Sequence, residues 1–167
     1  MTYRNKTYIC FDADTDMKYY TLMCAWKENE DIAFNFQNAH DLNNLRPTSS
    51  EDTIKQKLRE RLANTFEMIV LIGEHTKYLY KFVRWEIEYA IEKDIPIICV
   101  NINKLKKMDE SLCPQILKTA LAIHLPYGQK IIDYALNNWP QLHVGYRHDN
   151  KSGPFHYKEE TYNSLDL

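Results

Sequence analysis

Glycine is scarce in this chain, with four residues in 167: Gly73, Gly128, Gly145 and Gly153. Neither the G-x-G-x-x-G turn of dinucleotide-binding folds nor a Walker A loop can be written from them, so any nucleotide must be held by other means. Cysteine is also sparse. Cys10, Cys24, Cys99 and Cys113 contain no C-x-x-C spacing, and Cys10 and Cys99 fall inside apolar runs. There a thiol behaves as a small hydrophobe, so buried free thiols are expected rather than disulfides or zinc. An excess of one charge is missing too. A net charge of −2 supplies no field for nucleic acid or an anionic membrane, and neither partner is implied. No segment approaches the roughly 20 apolar residues that span a bilayer. The first residues, MTYRNKTYICFDAD, show no long apolar region followed by a small-residue cleavage site, and a soluble, cytoplasmic protein is expected.

What the chain does contain is an alternation of apolar runs and helical patterns. TYICF (7–11) reads as a strand, 16–26 as a helix, and IAFNF (32–36) as a second strand. After a polar loop, Ser49 with Asp52 three residues on resembles a capping box, followed by Ile54, Leu58 and Leu62 at helical spacing. MIVLIG (68–73) and IPIICVNI (95–102) are continuous apolar runs, as suits strands covered on both faces. A helix is expected over 80–92, a short helix near 111–119, a strand over 120–125, and a helix over 129–139 that Pro140 ends. This order predicts an α/β fold of flavodoxin-like type: a mainly parallel five-stranded sheet with helices on both faces. Ligands of such sheets bind at the carboxyl ends of the strands, which points to the loops after residues 11, 36, 73 and 102. The domain is expected to span 1–140, with 141–167 an irregular extension packing some aromatics on it. The spacing of His143, His148 and His156 in that extension matches no usual metal-ligand pattern, and no metal is expected.

Three acids follow the first strand, Asp12, Asp14 and Asp16. An EF-hand would need Gly at the sixth position and Glu at the twelfth, where Met17 and Met23 stand. Two readings remain open: carboxylates capping the start of a helix, or at least one of them touching a ligand. A phosphohydrolase using Asp12 and Asp14 with Mg²⁺ is a minor alternative. His40 and Asp41, after the second strand, are either turn residues or groups lining a pocket at the strand ends.

The segment FVRWEIEYAIEKD sets a sharper question. At about 100° per residue, Val83, Ile87, Ala90 and Ile91 form an apolar stripe, and Arg84 and Glu88 form an exposed pair opposite. Glu86 sits at the stripe's edge, one turn after Phe82. Either it points to solvent, or it is partly desolvated, which would raise its pKa and strengthen its interaction with a developing cation.

Four blocks in order, YICFDADTD, HDLNN through SSEDTIKQKLRERL, IVLIGEHT and FVRWEIEYAIEKDIPII, resemble the TIR-like domains of the Thoeris antiphage system, the ThsB group, over about residues 5–140. The resemblance implies an enzyme that cleaves NAD⁺, with Glu86 as the required acid. Phe82 stands four positions earlier, where the family usually has Trp. By the same resemblance Phe11 and Asp12 would line the pocket, and a mobile loop over 37–50 carrying His40, Asp41 and Ser50 would close over the nucleotide. Cys10 stands where many TIR domains have Ser. The family implies NAD⁺ as substrate with no cofactor, and an ADP-ribose-derived product, linear or cyclic, that signals to a separate effector protein. It also implies self-association into a homo-oligomer as one way to complete the site. The competing reading is a TIR-like interaction module without chemistry, its Tyr78, Tyr80 and Tyr89 serving assembly.

Overall fold

The structure, a computed structural model, describes residues 6–28, 35–37 and 50–167, with the side chains of 35–37 excepted. In chain order the elements are β1 (Lys6–Cys10), α1 (Met17–Glu28), β2 (Asn35–Gln37), α2 (Glu51–Leu62), β3 (Glu67–Ile72), α3 (Phe82–Glu92), β4 (Ile97–Asn101), β5 (Ala122–Pro126), α4 (Gln129–His148), β6 (Pro154–His156) and α5 (Glu159–Ser164). The described strands form one sheet in the order β2-β1-β3-β4-β5-β6, every pair parallel. The flavodoxin-like architecture expected from the alternation is therefore present, with β6 added at the edge beyond the five expected strands.

Strand alternation divides the core into two layers. Ile9, Phe11, Ile69, Leu71, Ile98, Val100, Ile123 and Leu125 pack against α1 and α4, where Tyr20, Met23, Ile132 and Trp139 are buried. Their neighbours along the strands, Tyr8, Cys10, Met68, Val70, Ile72, Ile97 and Cys99, face α2 and α3 and meet Leu62, Val83, Ile87 and Ala90. All positions of β3 and β4 are buried, because helices cover both faces. The four cysteines are free thiols; Cys10, Cys99 and Cys113 are buried and Cys24 half-buried. Among the described residues, no helix is long and apolar enough to cross a membrane.

Three expectations need correction. The cap of α2 is Ser50, whose Oγ accepts from the Thr53 N–H at 3.3 Å, one residue later than the Ser49 start read from the sequence. The region near 111–119 holds only a 3₁₀ turn, Gln115–Leu117. Most consequentially, the helix expected to end at Pro140 runs on to His148. Pro140 removes one intrahelical hydrogen bond and crowds the preceding turn, a cost of about 3 kcal/mol in an isolated helix. Tertiary packing offsets it. Trp139, one residue before the proline, is fully buried among Tyr146 and Phe155. Beyond it, His143 Nε2 lies 3.2 Å from the Asp94 carbonyl oxygen, and Arg147 forms an ion pair with the Asp94 carboxylate. The boundary drawn between 140 and 141 thus falls inside α4, and the extension is ordered: it supplies β6 and α5, whose Tyr162 is buried in the core.

Candidate functional site

The chain leaves β1 for β2 on one side of the sheet and continues to β3 on the other. The carboxyl ends of β1 and β3 therefore flank the point where strand order reverses, the usual place for a ligand in open α/β sheets. A cavity of about 370 Å³ opens there, lined in part by Asp16, Gly73, His75 and Asn103. The loops after residues 11, 73 and 102 all reach it, as the strand pattern implies; the loop after 36 lies outside the described residues.

The acidic loop after β1 is organised chiefly by its own backbone. Asp12 is 5% exposed. Its Oδ1 accepts from the Asp14 N–H at 3.0 Å and its Oδ2 from the Thr15 hydroxyl at 2.8 Å. Its carbonyl accepts from the Asp16 N–H at 2.8 Å. These bonds close a turn that precedes α1, which begins at Met17. Asp16 is buried against Gly73, and a Cβ at residue 73 would collide with its carboxylate. Burial, followed by the charge of Asp12, raises the Asp16 pKa.

Glu86 lies on the other layer. It occupies the second turn of α3 and is 4% exposed, so the solvent-facing reading of its helical position does not hold. The reason is its placement over the β1 edge of the apolar stripe, where Tyr8 and Cys10 point toward α3. The Tyr8 hydroxyl donates to Glu86 Oε1 at 2.9 Å, in a buried contact between residues 78 apart in sequence. Cys10 Sγ donates to the Val83 carbonyl oxygen at 3.8 Å, one turn before Glu86. Burial pushes the Glu86 pKa up to about 7; hydrogen bonds from Cys10 and Tyr8 and the charge of Arg61 in α2 hold it from rising further. Burial and the nearby Glu86 charge raise the Tyr8 pKa. A carboxylate so placed ionises near neutral pH, and as an anion in a poorly solvated setting it interacts strongly with positive charge developing beside it.

The other residues singled out by sequence are distributed around this carboxylate unevenly. Phe82 opens α3 one turn before Glu86, is 41% exposed and meets Trp85 edge-on, with ring centroids 5.8 Å apart. Ser50 is exposed and acts as the cap of α2. Phe11 lies in the opposite layer, its ring stacked on Tyr20 at 4.8 Å and 7% exposed, a packing position. His40 and Asp41 lie outside the described residues. Tyr8 was missed by sequence reasoning, although strand alternation places it on the same face as Cys10. Nothing in the local pattern joins either of them to Glu86.

Comparison with protein-family models matches residues 8–107 to the TIR-like domain of the Thoeris protein ThsB. The matched span runs from Tyr8 through β4 and includes α3 with Glu86. It covers more than half of the chain, which therefore belongs to the Thoeris ThsB TIR-like domain family of antiphage defence.

Proposed function

We propose that this chain is an NAD⁺-cleaving enzyme whose ADP-ribose-derived product, linear or cyclic, signals to a separate effector during phage infection. The observation that carries this reading is Glu86: a buried carboxylate on α3, held by Tyr8 and ionising at about pH 7. Family membership supplies the context of antiphage defence. In the reaction, the bond between ribose C1′ and the nicotinamide nitrogen breaks, and its electron pair leaves with nicotinamide. The sugar is left with oxocarbenium-like charge. A preorganised anion stabilises that charge, as carboxylates do in glycoside hydrolysis. Water, or a nucleophilic group of the same ADP-ribose, then closes on C1′ and loses its proton. Glu86 in its ionised form is the stabilising anion, so cleavage should rise with pH through about 7. NAD⁺ is the substrate, and no further cofactor enters this scheme.

The test is mass spectrometry of nucleotides from cells expressing the wild type or Glu86→Gln, with and without phage challenge. An ADP-ribose-type product confined to the wild type supports the reading, whereas equal nucleotide pools in all conditions contradict it.

One observation favours the second reading, a TIR-like module that acts by association. Tyr78, Tyr80 and Phe82 are 56%, 67% and 41% exposed just before and at the start of α3, three solvent-facing rings in a short segment. Tyr89, by contrast, is half-buried against the core. Assembly at micromolar concentration without NAD⁺ binding would favour this module.

A further inference from the structure

Glu86 is buried at an interface between a strand and a helix that are distant in sequence, and its orientation is set from the strand side. Three titratable groups bear on it: Tyr8 and Cys10 from β1 and Arg61 from α2. Cys10 and Tyr8 both lower its pKa, Cys10 the more, and the Tyr8 hydroxyl lies 2.9 Å from Oε1. Tyr8 is itself 1% exposed, so its hydroxyl has little water to turn to. A buried phenol must place its proton on an acceptor, and the carboxylate is that acceptor.

We propose that Tyr8 is a positioning residue of the Glu86 site: its hydroxyl pins Oε1, fixes the orientation of the carboxylate and favours its ionised form. The inference rests on the proposed NAD⁺ cleavage for its kinetic consequence, but not for its physical one. A hydrogen bond donated to a charged oxygen is stronger than one to the neutral acid, so it favours ionisation. The opposing effect is burial, which favours the neutral acid and is the larger of the two. Tyr8 is thus one of the groups, with Cys10 and Arg61, that keep within reach of neutral pH a carboxyl that burial alone would hold protonated. Cys10 acts in the same sense from the same strand face. The Val83 carbonyl, which also accepts from the Cys10 thiol, ties the first turn of α3 to β1 and fixes the height at which Glu86 meets Tyr8.

Tyr8→Phe removes one hydroxyl and leaves the ring to fill its place. The direct readout is the titration of Glu86 in the full chain, followed by ¹³C NMR of the labelled carboxyl carbon, with Glu86→Gln assigning the resonance. The midpoint is expected near pH 7 in the wild type and higher in Tyr8→Phe by about one pH unit, the scale of one charge-assisted hydrogen bond. Fluorotyrosine at residue 8, a stronger donor of nearly unchanged shape, is expected to move the midpoint down. In NAD⁺ cleavage, Tyr8→Phe should lower kcat about fivefold at pH 7 and recover as pH rises to 9, the fraction ionised following the midpoint. A residue that merely packs would not shift a pH profile. A midpoint unchanged by both substitutions overturns the proposal, as does a shifted midpoint with an unshifted rate profile. A shifted midpoint in a protein whose wild type cleaves no NAD⁺ supports the Tyr8 to Glu86 coupling and contradicts the proposed activity, so the two failures are distinguishable.

Discussion

Against one face of the sheet, α1 and α4 bury a layer of aliphatic and aromatic side chains centred on Trp139, Tyr20 and Met23. Against the other, α2 and α3 bury a similar apolar layer, but at its β1 edge lie Tyr8, Cys10 and the carboxyl of Glu86. Both layers come from the same strands by simple alternation. The difference lies in what their burial achieves. The first layer gains stability chiefly from the apolar groups it removes from water, although the fully buried Glu67 alternates onto its face with Ile69 and Leu71. The second gives up part of that gain to hold one acid away from solvent, the trade expected where a site and not the fold sets the residue.

The largest effect that sharpens this contrast belongs to the first layer. Trp139→Ala removes the largest fully buried side chain and should cost about 3–5 kcal/mol, read by chemical denaturation. A loss near that of a surface substitution would mean the extension is held by something other than this packing. Next comes a change of opposite sign in the second layer. An ordinary Glu titrates near 4.5 and Glu86 near 7. Between these values the folded chain keeps a proton that the unfolded chain has lost, so stability falls as pH rises across the window and stays low above it. Glu86→Gln should therefore be more stable than the wild type at pH 8 by about 3 kcal/mol, and equal to it below pH 4.5. Urea denaturation at both pH values checks this, and a destabilised variant at pH 8 would mean that the charge is better solvated than its burial implies.

Gly73→Ala tests the point where the layers meet the strand ends. Its Cβ would press on the Asp16 carboxylate, and overpacking of this kind costs about 1–3 kcal/mol. Restoration of stability by Gly73→Ala combined with Asp16→Ala would identify that collision as the cause, while an unaffected single variant would show that the loop has room to shift. The smallest effect is expected at the cap of α2, where Ser50→Ala should cost about 1 kcal/mol without altering the Glu86 midpoint. A change in that midpoint would place Ser50 in the site and not merely beside it.

The arrangement of the strands was readable in the sequence because burial on both faces leaves a continuous apolar run, as in MIVLIG and IPIICVNI. The helix bearing Glu86 was readable because its stripe repeats at helical spacing. The continuation of α4 past Pro140 was not. Proline's penalty is local and visible, whereas the contacts that outweigh it come from Asp94 and Phe155, far along the chain. For the same reason the position of Glu86 at the stripe's edge left its burial undecided, and its identification as the acid came from resemblance. What buries it is β1, and the partner of its carboxylate, Tyr8, is 78 residues away. Phe11, one residue past Cys10, packs in the other layer with Ile9 and Tyr20, because one step along a strand reverses the side.

The central claim is that the anion of Glu86 stabilises the sugar cation formed as NAD⁺ loses nicotinamide. Nicotinamide release by the purified full chain, measured from pH 5.5 to 8.5 for the wild type and Glu86→Gln, tests it most directly. The expected result is a wild-type rate that rises through a midpoint near pH 7 and a Glu86→Gln rate lower by at least about 100-fold. A Glu86→Gln protein that matches the wild type across this range would contradict it.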